Sequence, residues 1–150
     1  VSVDLHSRIP YCFKRHPYPG APAFDIHEIS AGTPLKISGI DVMPLDVIHW
    51  KLHILGFKIG KLAYITDCKT LPEATIRAIQ GIDTLVINAL RREEHISHLS
   101  LSQALQLIEL INPRQAYLTH ISDRLGRHAD VDPTLPDRVH LAYDGLTIEI

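Results

Sequence analysis

Four side chains suited to metal binding or proton transfer stand where apolar runs stop. His49 closes residues 40–48, Asp67 closes 62–66, His120 closes 115–119, and His98 sits just ahead of Ser100-x-x-Gln103. Neutral imidazoles donate nitrogen lone pairs and a carboxylate can reach two cations through its two oxygens, so the set has the chemistry of a divalent metal centre. Strand ends and helix N-termini are rigid places from which side chains reach a cleft. Taken singly, a histidine at a strand end is more often a hydrogen-bonded core or surface group, and an aspartate there is more often a turn residue or helix cap. The chain has ten histidines in 150 residues. His53, four residues past His49, reads as a surface or substrate-contacting group, and His95 as an exposed neighbour of His98 that could shape a pocket. His6, His16, His27, His128 and His140 read as surface or strand positions. Trp50 reads as a packing residue or a ligand contact.

These residues need elements to carry them. Residues 24–29 alternate like a half-buried strand, and 35–37 lead through Ser38-Gly39 into a strand over 40–48. Residues 54–59 and 62–66 form a second hairpin around Gly60-Lys61. Residues 72–80 have helical period with Pro72 and Glu73 in the first turn and Gly81 as a stop. The apolar run 83–89 predicts a strand covered on both faces. Ser100 and Gln103 make a capping box, with Leu101, Ala104, Leu105, Ile108 and Ile111 at helical spacing until Asn112-Pro113. Residues 115–119 predict a strand, and 139–143 with 146–150 a last hairpin around Asp144-Gly145, a type I′ signal. Residues 1–23, with prolines at 10, 17, 19 and 22, read as a connecting or inserted segment.

The chain carries 15 basic and 17 acidic side chains, a formal charge of −2. That balance argues against nucleic-acid binding by bulk electrostatics, because no basic excess displaces phosphate counterions. Apolar runs fall well short of the ~20 residues that span a bilayer. With no signal-peptide pattern at residues 1–8, the cytoplasm is the expected compartment, and Cys12 and Cys68 are expected as free thiols.

Several segments in order resemble the second half of a metallo-β-lactamase-fold hydrolase: Pro44-Leu45-Asp46-Val47-Ile48-His49, Gly56-Phe57-Lys58-Ile59, Ala63-Tyr64-Ile65-Thr66-Asp67, His98-Leu99-Ser100-Leu101, Tyr117-Leu118-Thr119-His120-Ile121-Ser122 and Ala142-Tyr143-Asp144-Gly145-Leu146. The chain is similar to the branch holding the phosphoribosyl cyclic phosphodiesterase, with the tRNA 3′-end endonuclease further off. The resemblance implies an α/β fold, an αββα sandwich of which residues 24–150 are the C-terminal half. It implies a phosphodiesterase in which two divalent ions, zinc or manganese, activate a hydroxide. It assigns His49, Asp67 and His120 as metal ligands, Asp67 bridging, and His98 as the general acid.

Family members draw most ligands from an earlier H-x-H-x-D-H segment, and this chain has no H-x-H. The site in this chain is therefore expected to be incomplete and the chain alone inactive or nearly so, as the later part of a longer protein whose first half carries that segment. A half-sandwich leaves an apolar sheet face, so association with that half or with a second copy is expected. The short interval from His49 to Asp67 leaves no room for the RNA-gripping arm of the endonucleases, which favours a small phosphodiester, such as a cyclic nucleotide or cyclic sugar phosphate, over nucleic acid. The alternatives are an RNA nuclease and a degenerate binding or scaffold domain without catalysis.

Overall fold

The computed structural model describes residues 1–16 and 18–150; Pro17, one of the prolines of the expected connecting segment, lies outside the described residues. Two compact units are present, Val1–Ser30 and Ala31–Ile150. The first holds a seven-residue helix α1 (Ser2–Arg8) and a 3₁₀ turn (Pro10–Phe13). Helix α1 buries none of its residues, and the turn buries Cys12. Residues 24–29 form no strand: they find no pairing partner, and Phe24 and Ile29 stand 53% and 41% exposed. Alternation there is a pattern without a neighbour to satisfy its backbone.

The second unit is one mixed sheet in the order β1 (Leu35–Ile37), β2 (Ile40–His49), β3 (Leu52–Ile59), β4 (Leu62–Ile65), β5 (Thr84–Asn88), β6 (Gln115–Thr119), β7 (Val139–Leu141). The first four strands run antiparallel, as the hairpin signals predict, and β4 to β7 run parallel. Crossovers carry α2 (Glu73–Ile79), α3 (Leu101–Ile111) and the single turn α4 (His128–Val131). Helix α2 starts after Pro72, and Gly81 follows its end at φ 68°. Helix α3 has both bonds of its capping box and ends on Asn112 in the left-handed region.

Register and alternation sort the sheet into two faces. One presents Leu45, Val47, Ala63, Ile65, Leu85, Ile87, Ala116, Leu118, Val139 and Leu141, all buried in one cluster with Ile79 of α2 and Ala104, Ile108 and Ile111 of α3. The other presents Leu55, Phe57, Ile59 and Leu62, which are half-buried, and Tyr64, which is exposed. Strand β5 is buried along its whole length.

The hairpin expected at 139–150 does not form. Leu146 N–H closes a turn onto the Tyr143 carbonyl, and residues 146–150 join no ladder. Gly145 has a positive φ (88°) while Asp144 does not, so the turn is not type I′ and splays the chain. At Ser38-Gly39 both residues have positive φ, 49° and 86°, and there the ladder continues through Ile37 and Ile40. No helix among the described residues is long and apolar enough to cross a membrane.

Candidate metal centre

Strand β2 runs in the same direction as β4, β5 and β6, because two antiparallel steps separate it from β4. The C-terminal ends of all four therefore meet at one edge, where open α/β sheets place ligands. His49 ends β2, Asp67 follows β4, Asn88 ends β5 and His120 follows β6. Helix α3 begins just beyond His98, in the crossover from β5 to β6.

Backbone bonds draw these ends together. Ile48 bonds Lys69 and Thr70, so the segment after Asp67 straps across the end of β2. Leu99 N–H donates to the Cys68 carbonyl at 3.0 Å, Leu90 N–H to Leu99, and Ala89 N–H to Thr119. His120 itself is held at φ 54°, a left-handed conformation uncommon for a residue with a side chain. The Thr66–Asp67 peptide is cis.

The side chains converge accordingly. Donor atoms of His49, Asp67 and His98 lie within 4.8 Å of one another. His49 Nε2 is 3.3 Å from His98 Nε2, which is 3.6 Å from Asp67 Oδ2. His120 Nδ1 lies 3.2 Å from the other oxygen, Oδ1, and its ring stacks on His98 at 4.7 Å. All four residues assigned from the sequence thus share one site. His98, read as the acid, stands inside the donor cluster, and His120, read as a ligand, flanks it through Asp67. His53 is not in this group: it is exposed on the other sheet face, with Nδ1 2.9 Å from Asp46.

The protonation states suit a cation. Burial alone would raise the Asp67 pKa, but the Thr66 hydroxyl, which donates to Oδ1 at 2.6 Å, together with His120 and His98, holds it below the ordinary value. Burial first, then His120 and His49, lower the pKa of His98 against the opposing pull of Asp67. An ionised Asp67 carboxylate beside a His98 imidazole held toward its neutral form suits a divalent metal. On its far side, His98 Nδ1 meets Ser97 Oγ at 2.9 Å and His95 Nδ1 at 3.0 Å, which leaves Nε2 facing the cluster.

Sequence reasoning gave His95 an exposed position, whereas it is half-buried against His98. It missed Ser97, Thr66 and Asn88. Asn88 carried a signal, as a polar residue in the otherwise apolar run that ends β5. Its side chain, fully buried, accepts from Cys68 N–H at 2.6 Å and donates to the Cys68 carbonyl at 3.0 Å.

Comparison with known proteins agrees with this fold. A family model described as beta-lactamase superfamily domain matches residues 1–121. The solved structure of a new diphosphatase from the PhnP family is 31% identical, with a TM-score of 0.81, over 87% of this chain and 50% of that one. The metallo-beta-lactamase fold protein YhfI from Bacillus subtilis is 17% identical at TM-score 0.69, covering 99% and 62%. The short form of human tRNase Z is 19% identical at 0.61, covering 77% and 44%. A curated protein named octanoyltransferase, from Porphyromonas gingivalis, is 36% identical over 97% of this chain but 30% of its own length. The chain thus spans half of the diphosphatase and under a third of that curated relative.

Proposed function

The chain belongs to the beta-lactamase superfamily, and on that footing we propose that it is part of a metal-dependent phosphodiesterase acting on a small phosphodiester such as a cyclic one. The observation that carries this reading is the convergence of His49, Asp67 and His98 donor atoms within 4.8 Å, with His120 on the second oxygen of Asp67. Similarity to a diphosphatase favours phosphorus chemistry. The single hairpin between His49 and Asp67 favours a small substrate over RNA. Acyl transfer, which the octanoyltransferase name would suggest, finds no support in the thiols: Cys12 and Cys68 are 4% and 0% exposed.

Zinc or manganese would be held by His49, Asp67 and His120, and the full protein would bind two ions with ligands beyond this chain. A bound cation supplies charge neutralisation for phosphoryl oxygens and a nucleophile at neutral pH. Asp67 stays ionised, and His49 and His120 approach from the ends of β2 and β6. In this reading His98, just ahead of the capped N-terminus of α3, would hand a proton to the departing oxygen. Its position inside the donor cluster supports a second assignment, as a ligand in place of His120.

Metal content separates the two. If His98 is the acid, His98→Ala keeps its metal and loses turnover of bis(p-nitrophenyl) phosphate in the full-length protein, while His120→Ala loses metal. The reverse makes His98 the ligand. Full activity in His98→Ala, or hydrolysis without metal, overturns the reading. The partly exposed face of Phe57, Ile59, Leu62 and Tyr64 is assigned to the first half of the fold or a second copy. The cytoplasm remains the proposed compartment, supported by two free cysteines.

A further inference from the structure

A polar side chain with no exposure, inside a strand buried along its whole length, needs partners for each of its groups. Asn88 finds them in a single residue of another loop, taking both the N–H and the carbonyl of Cys68. The pairing imitates a strand ladder where β4 has already ended at Ile65. Cys68 follows Asp67 directly. Its carbonyl also accepts from Leu99 N–H, and Leu99 follows His98 directly. One amide group therefore sits at the junction of the two loops that deliver Asp67 and His98, and hydrogen-bonds to neither side chain. Ser97 and His95 orient the His98 ring, but no side chain besides Asn88 bonds the backbone of Cys68 among the described residues.

We propose that Asn88 is a positioning residue of the site: by clamping both backbone groups of Cys68 it fixes the separation of Asp67 and His98 and so their joint grip on a metal ion. This rests on the metal-site reading above. Loss of an outer partner that orients ligands weakens metal binding by about 10–100-fold.

The test uses Asn88→Leu, which fills similar volume and removes both bonds, in the full-length protein. In metal-free protein, native-state hydrogen exchange should show lost protection at the Cys68 and Leu99 amides, with Val86 in β5 and Ile108 in α3 unchanged. Cobalt(II) titration followed by its visible absorption should show about 10–100-fold weaker binding than wild type. Uniform loss of protection across the sheet, or unchanged cobalt affinity, overturns the proposal. If Asn88→Leu does not fold, Asn88→Asp takes its place. It keeps the acceptor for Cys68 N–H and loses the donor, so protection at Leu99 and cobalt affinity should both fall by less than in a complete loss of the clamp. Wild type that takes up no cobalt refutes the metal reading instead, and the exchange pattern alone then decides whether the clamp positions the loops.

Discussion

Asp67→Asn tests the centre most directly, because Asp67 is the anionic member of the donor cluster and contacts both His98 and His120. Any ligand that binds the folded chain alone stabilises it, by about 2.7 kcal/mol at a free concentration 100 times its Kd. For a chain of this size each kcal/mol moves Tm by about 2–4 °C, so saturating zinc should raise the wild-type Tm by ~5–11 °C. With the carboxylate gone, the donor cluster keeps only the imidazoles of His49 and His98. A hundredfold loss of affinity then leaves the same zinc concentration near Kd, worth about 0.4 kcal/mol and ~1–2 °C. The metal-free baseline should barely move, since the Asp67 side chain is 32% exposed and its pairs with histidine are screened, a contribution of about 0–1 kcal/mol. The sign of that small contribution is fixed. The carboxyl is held below 3.8 in the fold, so its contribution is present above that value and is lost as pH falls through the folded value. Wild type and Asp67→Asn should therefore converge in acid without metal. Differential scanning fluorimetry with and without zinc reads all of this, and an Asp67→Asn protein that keeps the full zinc shift refutes the assignment.

The other predictions concern stoichiometry, thiols, a turn and the core. Zinc titration of the chain should saturate at no more than one ion, weakly held, and two tight ions would contradict the incomplete donor set. Cys68 is fully buried and burial pushes its thiol up to about 12, so native protein at pH 8 should resist alkylation there until denaturant is added. Its folded value lies above the ordinary 9.0, so the stability it contributes is complete below that pH and is lost as pH rises toward 12. Trp50 turns β2 into β3 at φ 56° while 51% exposed, so Trp50→Gly should gain about 1 kcal/mol in urea unfolding by removing a left-handed side-chain residue; a loss would show that the indole packs usefully. Leu118→Ala, at a fully buried position in β6, should lose about 2–5 kcal/mol by the same assay.

What could be read in the sequence follows from how local each cause is. Capping at Ser100, the stop at Gly81 and the buried run through β5 depend on neighbours a few residues away, and each appears as expected. Two Gly-containing turns show the limit. Ser38-Gly39 and Asp144-Gly145 look alike as dipeptides, yet only the first takes positive φ at both residues and continues its ladder. Residues 24–29 alternate without a strand beside them, so period alone does not make a strand. The four site residues were legible because His49, Asp67 and His120 end or follow strands and His98 precedes a capped helix, and parallel crossovers bring those positions to one edge whatever the side chains do. Their division of labour was not. Whether His98 or His120 would face a metal ion depends on ring directions set by Ser97, His95 and the left-handed backbone of His120, all products of tertiary contact. Asn88 marks the boundary between the two kinds of information: its polarity in an apolar strand announces an obligation to hydrogen-bond, and only the fold shows that Cys68, the residue beside Asp67, meets it.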